Sequence, residues 1–238
     1  MKSKISVVSL FLRSSFYKAL VLMGVSLSLQ AGIFLVKLQG IVFSLEDLVE
    51  FSPFKNIFMA CEILLSLLLI YEFASIAKSF KTRLLDVPPR KVYFCEAAAG
   101  SIIFALWLLS EAVLMLILSF VYINSVEAEA VTTQTLFLAF YRSKFLHFLV
   151  PMEDFLLYLK NLLIIGTLGM SACTLPSNNA KVSPFQLIAP AFVFVGTVFE
   201  FGFHESYISI PILMVILLVI YMTRCSGKDV NYEIAREN

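Results

Sequence analysis

Long apolar stretches alternate along this chain with short basic or mixed segments. Six stretches approach the roughly 20 residues a helix needs to cross the hydrocarbon core of a bilayer. They are Ala19–Val36, Ile57–Ala77, Ala97–Tyr122, Phe155–Thr174, Phe185–Phe201 and Tyr207–Thr223. The pattern predicts an all-α, polytopic membrane protein with one transmembrane domain over residues 1–238 and no internal domain boundary. The last two stretches are joined only by Gly202–Ser206 and read as a helical hairpin.

Three segments outside these spans also carry a pattern. Residues 2–18 form an apolar segment along which Lys2, Ser6, Ser9 and Arg13 are spaced by four, three and four. That spacing gives a narrow polar stripe and predicts a helix lying in the inner membrane interface. Residues 132–150 are rich in Phe and Leu but contain Arg142, Lys144 and His147. A seventh span here would carry Arg224, Lys228 and Arg236 to the outside, so an outer interfacial or re-entrant helix is expected instead. Residues 78–96 read as a compact loop in which Pro88 and Pro89 end a short helix near Val87, because a residue before proline avoids the helical region.

Charge sets the orientation. With the N-terminus inside, 13 of the 18 Lys and Arg residues fall on inner segments, which favours cytoplasmic N- and C-termini in a multi-pass protein of the cell membrane. A basic start followed by an apolar run also raises the possibility of a signal peptide. Leu29, however, occupies the −3 position of the one plausible cleavage site, after Ala31, where a small residue is wanted, so a retained first span is expected. The chain is 60% hydrophobic and 15% charged, against about a quarter charged for a soluble domain. Mean hydropathy is +0.90. A net charge of +1 supplies no global field for nucleic acid.

Candidate chemistry is sparse. Cys61, Cys95, Cys173 and Cys225 form no C-x-x-C pair, and with only His147 and His204 beside them no metal site is expected. No Walker A loop, dinucleotide fingerprint, zincin motif or nucleophile elbow occurs, and no catalytic set can be assembled. Lys160, about one turn inside its span, is expected to snorkel outward toward Glu153 and Asp154. The acids at membrane depth are Glu62, Glu72 and Glu111, which must face protein or water. Each has two readings: a polar path or proton relay, or hydrogen bonding between helices. Glu62 and Glu72 are ten residues apart, about 15 Å along one helix and turned by roughly 80°, so they do not form one site. The 78–96 loop sets Leu84, Leu85 and Val87 beside Pro88, Pro89, Arg90 and Lys91. An apolar patch on a basic loop binds a partner or anchors in the interface, and the residues alone do not choose.

Leu84-Leu85-Asp86-Val87-Pro88 followed by Arg90-Lys91, set after a second span in a six-span chain with an amphipathic N-terminal helix, resembles the permease subunits of ABC-2 type ABC transporters. Glu96 departs from that family, which often has a basic residue where the third span begins. So does the short Gly202–Ser206 connection, where some members carry re-entrant helices. The resemblance implies a permease without ATPase activity or cofactor of its own, working with a separate ABC-type ATPase that holds ATP and Mg. It implies a second permease subunit, the same chain or another, and a coupling role for Arg83, Leu84, Leu85, Val87, Pro88, Arg90 and Lys91. The Phe-rich spans point to export of an amphiphilic or peptide substrate. The competing expectations are a non-transporting regulatory or assembly subunit, and a secondary transporter using Glu72 and Glu111 as proton sites.

Overall fold

The computed structural model describes residues 2–39, 44–78, 89–125, 133–151, 155–173 and 209–225. Among them the secondary structure is entirely helical: α1 (Lys2–Leu38), α2 (Leu45–Glu50), α3 (Phe54–Lys78), α4 (Pro89–Ser125), α5 (Thr133–Arg142), α6 (Lys144–Leu149), α7 (Phe155–Ser171) and α8 (Ser209–Cys225). Three of these, Val8–Leu38 of α1, Phe54–Ile76 of α3 and Lys91–Ser125 of α4, are long and apolar enough to cross a membrane. They make this a membrane-associated protein. Its outward surfaces are apolar, with Val25 and Val36 on α1, Leu64 on α3, and Leu109 and Phe120 on α4 all exposed. Polar side chains such as Gln30, Glu62 and Glu111 are instead buried, the arrangement expected when the outer contact is lipid.

Two boundaries differ from the sequence pattern. Residues 2–18 do not form a separate interfacial helix; they are the first half of α1, which runs unbroken for 37 residues, about 55 Å. Ser9 and Arg13 still lie on its exposed side. Likewise, residues 89–96 are not loop. Pro89 opens α4, a position where its missing N–H has no helical partner to lose and its fixed φ already suits the helix. The polar stretch looked like a loop because Arg90, Lys91 and Glu96 interrupt the apolar run. In α8, Pro211 falls in the first turn and is tolerated for the same reason as Pro89. The stretch 185–201 lies outside the described residues.

The long helices alternate in direction. Phe11 packs edge-on against Phe73 at 5.4 Å, and Phe34 against Phe54 at 6.3 Å, so α1 and α3 are antiparallel. Phe58 stacks on Trp107 at 5.5 Å while the space beside Gly100 is bounded by Phe73, so α3 and α4 are antiparallel as well. The α4–α7 pair is antiparallel too and makes the closest approach. A Cβ on Gly100 would meet the Gly169 Cα at 3.2 Å; one on Gly169 would meet Ser101 Oγ, the Ser101 nitrogen at 2.7 Å and the Ala97 oxygen at 2.9 Å. Ala97, Gly100 and Ser101 thus form a small-residue surface onto which Gly169 presses its backbone, as membrane helices do when little hydrophobic force draws them together. Tyr93 Oη donates to the Met170 carbonyl at 3.3 Å just beyond this contact.

At the Phe34 end of the bundle sit the C-terminus of α1, the start of α3 and the short helix α2. Ser44 caps α2 by accepting from the Asp47 amide at 3.2 Å. Lys37 Nζ donates to the Phe51 carbonyl at 2.8 Å, tying α1 to the turn after α2. Helices α5 and α6 belong to this same end. α5 packs on α2, while Phe145 and Phe148 of α6 pack on Phe58. Ser143, with ψ of 120°, breaks the two helices apart. Their ten and six residues span about 15 and 9 Å, short of a bilayer core. Yet Phe145–Leu149 are buried on all sides, and Asn161 Nδ2 caps the Phe148 carbonyl at 2.9 Å. Such capping is what a helix end needs away from water. Lys160, expected to reach outward, is 1% exposed, and its Nζ lies 6.0 Å from the Phe148 ring centroid. The α6 helix, packed over that face of α7, encloses it.

Candidate functional site

The buried face of α1 is Phe11, Ser15, Ala19, Met23, Ser26, Gln30 and Phe34, at steps of three and four. This heptad-like spacing turns one stripe of a long helix inward, and it carries Ser26 and Gln30 to membrane depth on the protein side. On α3 the inward stripe includes Phe58, Cys61, Glu62, Leu65, Leu69, Glu72 and Phe73; on α4 it includes Glu96, Ile103, Trp107, Glu111, Met115 and Tyr122. All the intramembrane acids therefore face protein.

The structure separates them into two settings. Glu72 Oε1 accepts from Lys18 Nζ at 2.5 Å, and Glu72 Oε2 accepts from Ser14 Oγ at 3.5 Å. This ion pair joins α1 to α3, and with Lys18 half exposed it is screened by water. Lys18→Gln should cost about 1 kcal/mol, the upper range for exposed pairs. That corresponds to roughly 2–4 °C in thermal unfolding in detergent. In a double-mutant cycle with Glu72→Gln the losses should be clearly less than additive; additive losses would show that the pair contributes no coupling.

Glu62 and Glu111 are in the other setting. Glu62 is 4% exposed and Glu111 fully buried, and among the described residues neither oxygen of either carboxyl has a hydrogen-bond partner. Glu111 faces the Gln30 amide without closing a hydrogen bond to it. Cys61 faces Ser26 and is close enough to Glu62 and Glu111 to feel both charges. Glu62 also borders a small cavity walled by Phe58, Phe104, Trp107, Phe148 and Ile164, with room for about one water molecule. Trp107 lines the same cavity, and its indole N–H has no partner among the described residues. Polar atoms left open in this way inside a protein cost about 1–3 kcal/mol each when neutral and more when charged. These atoms lie on the inward faces of α1, α3 and α4.

Of the residues singled out in the sequence, Glu62 borders the cavity beside Trp107, Glu111 faces Gln30, and Glu72 stands apart with Lys18. Arg83, Leu84, Leu85, Val87 and Pro88 lie outside the described residues, whereas Arg90 and Lys91 are in the first turn of α4, with Lys91 exposed. Gln30, Ser26 and Trp107 were missed. Their signal was available: Ser26 and Gln30 are four residues apart in an otherwise apolar span, and Trp107 is the one tryptophan and stands four residues before Glu111. Among the described residues no three His, Cys, Asp or Glu side chains converge as metal ligands would. No family model matches the chain, and no curated protein or solved structure matches it either.

Proposed function

We propose that this chain is the permease subunit of an ATP-driven transporter of the ABC-2 type, with six spans and both termini in the cytoplasm. The observation that carries the reading is the charge at the two ends of the bundle. The end holding the first half of α1, the end of α3 and the start of α4 gathers Arg13, Lys18, Lys78, Arg90 and Lys91. The connection between α3 and α4 adds Lys81 and Arg83. An excess of positive charge favours that side as cytoplasmic, which supports reading the Leu84–Pro88 motif, in the connection between α3 and α4, as an ATPase contact. The alternating directions of α1, α3, α4 and α7 fit this topology. The broken α5–α6 pair, starting and ending at the Phe34 end, fits a re-entrant element on the outer side.

In this reading the chain holds no nucleotide. ATP and Mg bind a separate ATPase, and two permease subunits frame the pathway for an amphiphilic or peptide substrate. The deciding experiment is purification in mild detergent from cells expressing the whole operon or its equivalent. A P-loop ATPase should accompany the chain, with hydrolysis stimulated by the assembled complex. A chain that purifies alone, while transport of candidate amphiphiles is unchanged by its deletion, would exclude the permease reading in favour of a regulatory or assembly subunit.

Topology has its own test. In a background without native cysteines, Ala128→Cys should react with an impermeant maleimide added outside intact cells. Asp86→Cys and Val230→Cys should react only after the membrane is opened. External labelling at position 230 would mean an odd number of spans.

A further inference from the structure

We propose that Glu62 on α3 and Glu111 on α4, each buried with both carboxyl oxygens open, are membrane-buried proton-binding groups, Glu62 beside Trp107 and Glu111 facing Gln30. This goes beyond the permease reading and does not depend on it.

The geometry narrows the ligand. A charge at this depth without a partner is expensive, and the four carboxyl oxygens have none among the described residues. A bound cation could supply one. A divalent metal ion asks for about six oxygens, whereas the cavity beside Glu62 is walled by aromatic and aliphatic carbon and has room for about one water. An organic cation is larger than that space. A proton needs no volume.

The neighbouring groups suit both protonation states. Gln30 is fully buried with both amide atoms open and faces Glu111. Its Nε2 can donate to a carboxylate and its Oε1 can accept from a protonated carboxyl. Binding the proton forms one O–H bond on a carboxylate oxygen and breaks one in a hydronium ion, leaving water; release reverses it. The other titratable groups packed here are Cys61 beside both acids, and His147 and Lys160 on α6 and α7 behind Phe148. From α1 come only the neutral Ser26 and Gln30. Glu72 is outside the site and ion-paired.

The test uses the intact chain in lipid nanodiscs. Dicyclohexylcarbodiimide adds to protonated carboxyls in apolar surroundings and rearranges to a stable acylurea that peptide mass spectrometry locates. Label should appear on Glu62 and Glu111, decline as pH is raised, and be absent from Glu72. Trp107, the one tryptophan, gives an independent readout. Its emission should titrate with pH in the wild type and be flat in Glu62→Gln/Glu111→Gln, a variant of matched size. Label on Glu72 equal to that on Glu62 would overturn the assignment. So would unlabelled Glu62 and Glu111 together with pH-invariant emission, or an emission titration that persists unchanged in the double variant.

Discussion

Gly169→Leu should abolish accumulation of the folded protein, and Gly169→Ala should lower its thermal midpoint in detergent by roughly 2–12 °C. The expectation follows from what a side chain would strike. The added Cβ meets the Ser101 nitrogen at 2.7 Å and the Ala97 carbonyl at 2.9 Å, both backbone atoms of α4. A flexible side chain could swing away; a helix backbone cannot. The two helices must separate, and overpacking of this kind costs about 1–3 kcal/mol for one methyl group, which is the stated shift in a chain of this size. Separation also pulls Tyr93 from the Met170 carbonyl and opens the buried cluster of Tyr93, Ala97 and Cys173. Gly166→Ala is the control. It lies one turn away on the same helix with nothing within 4 Å of the added carbon. Alanine exceeds glycine in helix propensity by up to about 1 kcal/mol, so this variant should be neutral or slightly more stable. Equal behaviour of the two alanine variants would mean that the α4–α7 contact is not part of the folded protein.

On the permease reading proposed above, Leu84→Ser/Leu85→Ser should remove a co-purifying ATPase and stop substrate-stimulated hydrolysis, while the chain still inserts in the membrane. The two leucines stand in the connection between α3 and α4, beside Arg83, Arg90 and Lys91. If they fill a groove on the ATPase, each fully buried leucine contributes about 1.5–3 kcal/mol. Losing both would weaken the contact by some two to four orders of magnitude. The basic residues around them would set the encounter rate and its salt dependence more than the final affinity. If the leucines instead dip into the lipid interface, the double variant keeps its ATPase at wild-type level. Full retention with undiminished transport would remove this connection from the mechanism, and with it the residue-level support for the permease reading.

The largest features of the fold were written in hydropathy. Long stretches without charge cannot be loops in lipid, since an open backbone there has nothing to bond to; α1, α3 and α4 were therefore legible, each to within a few turns. The boundaries were not. Whether Lys2–Lys18 forms its own helix or continues into the span depends on a backbone with no proline or glycine to break it, and the polar stripe masked that continuity. Residues 89–96 were misread in the opposite sense. Their charges suggested a loop, but Pro89 is also a favourable first residue for a helix.

The site divides along the same line. From sequence alone, Glu62, Glu72 and Glu111 had to face away from lipid, because a lone charge at that depth is too costly. Tertiary structure decided which of them had partners. Glu72 meets Lys18, 54 residues away in the chain, while Glu62 borders a water-sized cavity and Glu111 faces Gln30. It also enclosed Lys160, by packing α6 across it, where the isolated span would have let it reach outward. Hydropathy is a property of each residue and its near neighbours, so it can say which faces must turn inward. Which inward faces meet depends on how antiparallel helices register against one another, and here that register follows from shape: the backbone contact at Gly100 and Gly169, and the aromatic stacking at Phe58 and Trp107.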